Sequence, residues 1–213
     1  MRFGILGGTG KEGTGLALRL AKAGHEVVIG SRDPERARAK AAEIGAGSAA
    51  VVGGTNRDAA EQAEIVLVTV PFAGHRALLE ELRDALASKI VVDTVVPLDF
   101  KARHAYAPPP EGSAAEEAQA VLGPAAKVVA ALHQIAAHDL AAVDRPIEAD
   151  GLYAGDDPSA KERVAELIRL LGARPVDAGP LKNAPILEAI TPLLIEINKR
   201  HKTKSSGIRI TGI

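Results

Sequence analysis

Three glycines, Gly8, Gly10 and Gly13, stand in G-x-G-x-x-G spacing within GILGGTGKEG, directly after a short apolar run and before an amphipathic one. A strand, a glycine turn and a helix in that order form a cradle for a pyrophosphate. Glycine lets the backbone turn tightly and approach the anion, and the amides around Thr9, Gly10, Lys11 and Glu12 point at it from the positive end of the helix. The same spacing also fits an ordinary strand-to-helix turn. About 20 residues further on, an acidic side chain normally reads a bare ribose. Here VVIGSRDPERARAK puts Gly30 in that slot, then Ser31 and Arg32, with Arg36 one helical turn beyond. An acid would repel a 2'-phosphate, whereas glycine leaves room, serine donates and guanidinium grips phosphate in a fork. The stretch therefore suits NADPH better than NADH, the alternative being a solvated turn. Arg38 and Lys40 are expected to be solvent charges.

Fewer residues offer themselves for the reaction. His133, in AALHQIAAHDL, falls at the carboxyl end of an apolar run, where it could hydrogen-bond or donate a proton beside a cofactor. A helix-capping or core histidine would read the same way. His75 and His138 are weaker candidates, and His25 reads as structural. LVTVPF ends on Pro71-Phe72 and DTVVPL on Val96-Pro97-Leu98, which are either apolar walls for a flat ring or ordinary strand ends. No histidine pair at metal spacing, no metal-type acidic cluster and no G-x-S-x-G elbow is present, so metal and hydrolytic chemistry have no support. The chain has no cysteine, which removes disulfides and thiolate ligands.

The elements that must position these groups alternate. Apolar runs at 2–6, 26–30, 49–53, 64–70, 89–95, 127–132, 147–155 and 173–179 read as strands buried on both faces. Helices are expected at 12–24, with Leu16 and Leu20 facing the core and Arg19 and Lys22 pointing elsewhere, and at 33–45, opened by an Asp cap and Pro34. Others are expected at 56–63, 113–122, 158–171 and 183–200, while the proline-rich segment 103–113 is a loop. This alternation predicts an α/β, Rossmann-type doubly wound, mostly parallel sheet with a small C-terminal α/β lobe. The expected division is a nucleotide-binding domain over 1–145 and a lobe over 146–213 that completes a cleft.

With a net charge of -1 over 213 residues, no global field attracts nucleic acid or an anionic membrane. No apolar run approaches a membrane span and the N-terminus does not read as a signal peptide, so a soluble, cytoplasmic protein is expected. The apolar ILEAITPLLIEIN could serve a homodimer interface.

Together, GGTGKEGTGLALRLAKAGHEVVIGSRDPERA, VTVPF, VVDTVVPL, VVAALHQIAA and DAGPLKNAPILEAITPLLIEIN resemble the NADPH-dependent coenzyme F420 reductases nearly end to end. The N-terminal half is also similar to the cofactor domains of pyrroline-5-carboxylate reductases and of STEAP metalloreductases. The resemblance implies reversible hydride transfer between nicotinamide C4 and deazaflavin C5, the rings stacked at about 3–3.5 Å. It implies pyrophosphate at Thr9 to Glu12 and the 2'-phosphate at Ser31, Arg32 and Arg36. Pro71, Phe72, Val96, Leu98 and Ala137 would line the nicotinamide cleft. His133, Ile135 and the tail around Gly207 would border the deazaflavin, and the basic tail is otherwise a surface charge run. Two other readings stay open: an imine or pyrroline-5-carboxylate-type reductase, which carries a longer helical C-terminal domain that this sequence does not show, and a non-catalytic NADPH sensor.

Overall fold

Unbroken β-branched and apolar runs need partners on both faces, and the structure supplies them by laying helices over both sides of one sheet. The computed structural model describes residues 1–45, 50–102 and 105–213. Its strands are β1 (Arg2–Leu6), β2 (Glu26–Ser31), β3 (Val51–Thr55), β4 (Ile65–Val68), β5 (Ile90–Asp93), β6 (Lys127–Ala131), β7 (Asp150–Gly155) and β8 (Arg174–Asp177). They lie in the order β3-β2-β1-β4-β5-β6-β7-β8. β1 to β6 are mutually parallel, β7 runs antiparallel to β6, and β8 is again parallel to β7. The order reverses between β1 and β4, so the crevice for a ligand opens at the carboxyl ends of the central strands.

The helices are α1 (Lys11–Lys22), α2 (Pro34–Ile44), α3 (Asn56–Gln62), α4 (His75–Glu81), α5 (Arg83–Leu86), α6 (Ala114–Leu122), α7 (Ala137–Ala141), α8 (Pro158–Leu170) and α9 (Ala184–His201). Leu16 and Leu20 of α1 pack with Val164, Leu167 and Ile168 of α8 on one face of the sheet. Leu79, Leu82, Leu86 and Leu122 cover the other. The expected cap is present: Asp33 accepts from the Glu35 and Arg36 amides, with Pro34 next in line; Ser113, accepting from the Glu116 amide, adds a cap that was not anticipated.

Several boundaries differ from expectation for identifiable reasons. β4 stops at Val68 and β5 at Asp93, because Thr69 and Thr94 follow and turn their hydroxyls onto the neighbouring strand. Thr69 Oγ1 donates to Leu6 O at 2.8 Å and Thr94 Oγ1 to Val68 O at 2.9 Å. β3 begins at Val51, two residues later than read, and Ala49 lies outside the described residues, as do Arg103 and His104 at the start of the expected loop. The short helices α4, α5 and α7 were not anticipated.

Arg19 requires a correction. It does not point outward but is buried, and its guanidinium donates to the carbonyls of Leu140, Leu171, Asp139, Ala142 and Arg145 at 2.6–2.9 Å. Five acceptors compensate the charge in place of an acidic partner, and they hold α7 against α1.

Candidate active site

The glycine loop has the form that a pyrophosphate cradle needs. A Cβ on Gly13 would meet Gly8 Cα at 2.5 Å, so these two glycines let the helix close on the strand end. Gly10 is different: a Cβ there would meet nothing nearer than Gly7 O at 3.7 Å, so its bareness leaves the space above the loop open. Gly10 is also the N-cap of α1 and offers no side chain to the first-turn amides of Lys11, Glu12 and Gly13. Those donors and the helix dipole remain for an anion.

At the end of β2, Ser31 is buried and its Oγ accepts from the Asp33 amide at 3.1 Å, leaving the hydroxyl proton to donate outward. Arg38 pairs with Glu35, and Lys40 with Glu43 at 2.5 Å, as solvent charges should. Arg32 and Arg36 are exposed and make no hydrogen bond or ion pair among the described residues. Two free guanidiniums next to a free hydroxyl form an anion corner beside the cradle. The glycine in the ribose slot has a cause besides the one expected. A Cβ on Gly30 would lie 2.9 Å from Asn56 Oδ1, which accepts from the Gly7 amide at 3.1 Å. Gly30 admits α3 and the loop-holding Asn56, a packing requirement that the sequence did not disclose.

From the cradle the surface falls into a cleft of about 330 Å³ at the carboxyl ends of β4, β5 and β6. Pro71, Phe72, Val96, Leu98, Ile135 and Ala137 are in its lining, together with His133 and Glu12. Leu132, just before His133, has φ +72°, a strained conformation for a leucine, and so swings the histidine in from the strand end. Thr191 Oγ1 on α9 donates to His133 O at 2.7 Å and holds that turn. The imidazole is buried, and neither ring nitrogen has a hydrogen-bond partner among the described residues. Burial pushes its pKa down to about 4 despite the nearby Asp93, so at neutral pH the ring is uncharged. Glu12 moves the opposite way. Burial and the charge of Asp93 push its carboxyl up to about 7, against the opposing Thr94 hydroxyl, although part of the residue stays open to the cleft.

Behind this wall lies a buried ionic chain. His75 is fully buried, with Nε2 2.7 Å from Asp93 Oδ2 and Nδ1 2.9 Å from Glu117 Oε1. Burial opposes its charge, but the two carboxylates prevail and raise the imidazole to about 9. As the cation it donates from both nitrogens. Asp93 Oδ1 in turn accepts from the Val95 amide at 3.0 Å, fixing the turn that presents Val95 and Val96 to the cleft. On the far side, Glu188 of α9 accepts from the Ala114 and Ala115 amides and from Tyr106 Oη at 3.0 Å. Burial raises this carboxyl to about 8.

Of the residues singled out from sequence, the structure therefore gathers the loop, the corner and the cleft along one continuous edge of the sheet. Gly207 is not among them: it lies against Ala149 and lines a neighbouring depression with Arg145 and Arg209, and its neighbour Ser206 is the tail residue that reaches the cleft. The tail is more than a charge run. Asp150, paired to Arg174 at 2.7 Å, accepts from the Ile210 amide at 2.6 Å, and its own amide donates to Ile208 O at 2.8 Å. Sequence reasoning missed Asn56, Thr94, Thr191, Asn198 and the side chain of Glu12. Only the repeated T-V-P and T-V-V-P strand ends carried a local signal for any of them.

Residues 2–97 match the family model described as NADP oxidoreductase, coenzyme F420-dependent. The F420-dependent NADP reductase of Methanothermobacter thermautotrophicus is 41% identical over all of this chain and 96% of that protein. The protein of the same name from Methanocaldococcus jannaschii is 40% identical over all of this chain and 99% of its own. Among solved structures, a candidate F420-dependent NADP reductase from Arthrobacter sp. FB24 superposes with a TM-score of 0.85 at 30% identity, covering 99% of both chains.

Proposed function

The chain belongs to the family of F420-dependent NADP reductases, and from that membership we propose that it transfers a hydride reversibly between NADPH and the 8-hydroxy-5-deazaflavin ring of coenzyme F420. The observation that carries the reading is the unpaired Arg32 and Arg36 beside an open glycine cradle that leads without a break into an apolar-walled cleft. A dinucleotide with an extra phosphate fits the first part, and two flat rings fit the second.

In this reading the amides of Thr9, Lys11, Glu12 and Gly13 hold the pyrophosphate, and Ser31, Arg32 and Arg36 hold the 2'-phosphate. Pro71, Phe72, Val96, Leu98 and Ala137 orient the nicotinamide. His133 and Ile135 border the deazaflavin, together with α9, where residues 146–213 complete the cleft begun by 1–145. When bound, NADPH supplies the hydride from its nicotinamide ring. The protein's own contribution is positioning and exclusion of water, which suits a transfer that needs no strong base. His133 is neutral at working pH and offers the substrate one N–H donor and one acceptor that no other described residue satisfies.

A homodimer fits the exposed apolar residues Ile186 and Leu193 of α9 and the exposed Phe100, which lines one depression with Leu193. Sedimentation at micromolar concentration tests this, with twice the chain mass expected.

The activity is tested by absorbance at the deazaflavin band. NADPH should bleach it, and NADH should do so poorly. Tight NADPH binding with no bleaching would favour a sensor over an enzyme, and oxidation of NADPH by cyclic imines alone would favour an imine reductase.

A further inference from the structure

Among the described residues, Glu12 brings the only acidic side chain to the lining of the cleft. It stands in the first turn of α1, between the cradle amides and the apolar walls. Its hydroxyl neighbour is Thr94, whose single proton is already directed at Val68 O at 2.9 Å. Thr94 cannot keep that bond and also donate to a carboxylate. A carboxylate at Glu12 would therefore have to compete with Val68 O for that one proton.

The charges around Glu12 favour its protonated form. Asp93 lies behind Thr94 at the end of β5, backed by His75 and Glu117, and its charge disfavours a second anion. From the end of β6, His133 presents an uncharged ring. The segment 69–72 and the cleft face of α9 contribute no titratable group, only Thr69, Thr191 and Asn198 among polar side chains. On its own helix, Lys11 is exposed. Among the described residues, no cation lines the cleft with Glu12.

We propose that Glu12 is a charge-balancing residue for the nicotinamide: it keeps its proton while the ring is reduced and neutral, and releases it to solvent when the ring is oxidised and cationic. The account balances. A neutral acid beside a neutral ring becomes a carboxylate beside a cation, one proton leaves for bulk water, and no bond to the nucleotide forms or breaks. The inference rests on the reading that the nicotinamide occupies this cleft. It adds a residue that makes the oxidised nucleotide's binding depend on protons and the reduced one's not.

Calorimetric titration of NADP+ and of NADPH into the protein, from pH 6 to 8 in two buffers of different ionisation enthalpy, tests it. NADP+ should release close to one proton at pH 6 and almost none at pH 8. Its Kd should rise relative to that of NADPH by up to about tenfold per pH unit below pH 7. The 2'-phosphate titrates in both nucleotides, so it cancels in the ratio, and His133 titrates well below the window. Glu12→Gln should abolish the release and flatten the ratio. Equal proton counts for the two nucleotides in the unaltered protein, or release that persists in E12Q, would overturn the inference while leaving the cofactor assignment standing. Failure of NADP+ to bind at all would overturn both. The comparison of nucleotides on the unaltered chain decides the matter even if E12Q does not fold.

Discussion

The anion corner at the end of β2 and the cleft at the ends of β4 to β6 handle charge in opposite ways. At the corner, Arg32 and Arg36 lie exposed to solvent with no partner among the described residues. In the cleft, the titratable groups are displaced toward their uncharged forms, His133 down to about 4 and Glu12 up to about 7. The difference follows from the work each place does. A free cation in water binds a phosphate strongly enough to select a nucleotide and loses little solvation while waiting. A charge inside the cleft would be costly unless paired, so the ionic cluster of His75 with Asp93 and Glu117 is paired one layer back from the lining.

Substitutions should separate the two regions cleanly. The largest effect is expected from His75→Leu, which leaves Asp93 and Glu117 buried without their cation. Removing one partner from a buried ionic pair costs about 3–5 kcal/mol, read by denaturant unfolding, while the surviving folded protein still prefers NADPH to NADH. Arg32→Ala should do the reverse. NADPH binding weakens by about 1.5–3 kcal/mol, the worth of a hydrogen bond to a charged group, and the KM for NADH and the unfolding midpoint barely move. A loss shared equally by NADPH and NADH would break the contrast.

Stability should also record the buried groups as pH changes. The His75 imidazole is raised in the fold, so its contribution is complete below pH 6.5 and is lost as pH rises through about 9. Glu188 is raised to about 8, so its penalty on the fold builds from the ordinary carboxyl range near 4.5 and is complete once pH passes about 8. Unfolding free energy should therefore fall on the order of 1 kcal/mol or more between pH 7 and 9.5, and Glu188→Gln should remove part of that slope. The smallest effect belongs to Ser31→Ala, which removes one neutral donor from the corner and should weaken NADPH by about 0.5–1.5 kcal/mol, seen as a modest rise in KM.

The two regions also differed in how far the sequence disclosed them. The cradle and corner are local: Gly8 to Gly13 and Ser31 to Arg36 are short contiguous segments, and their spacing carries their chemistry. The expected sheet appeared for a similar reason, since β-branched runs such as IVLV and IVVD leave little choice of element. The cleft is assembled from distant segments. His75 meets partners 18 and 42 residues away, and Arg19 reaches carbonyls about 120 residues on, so no spacing rule could pair them. The helices that were missed are short, α5 with 4 residues and α7 with 5, too few for a periodic pattern to emerge. Glu12 was legible only as a backbone donor in a glycine loop, because its side chain gains meaning from Thr94 and Asp93, which the fold brings to it.

The central claim is that a hydride passes directly from one ring to the other inside this cleft. Stereospecifically deuterated NADPH, labelled at nicotinamide C4 in either position and incubated with the protein and oxidised coenzyme F420, puts that to the test. One of the two labels should arrive at deazaflavin C5 by mass spectrometry and NMR, with none washed out into solvent. Reduced deazaflavin free of deuterium from both labelled forms would contradict direct transfer.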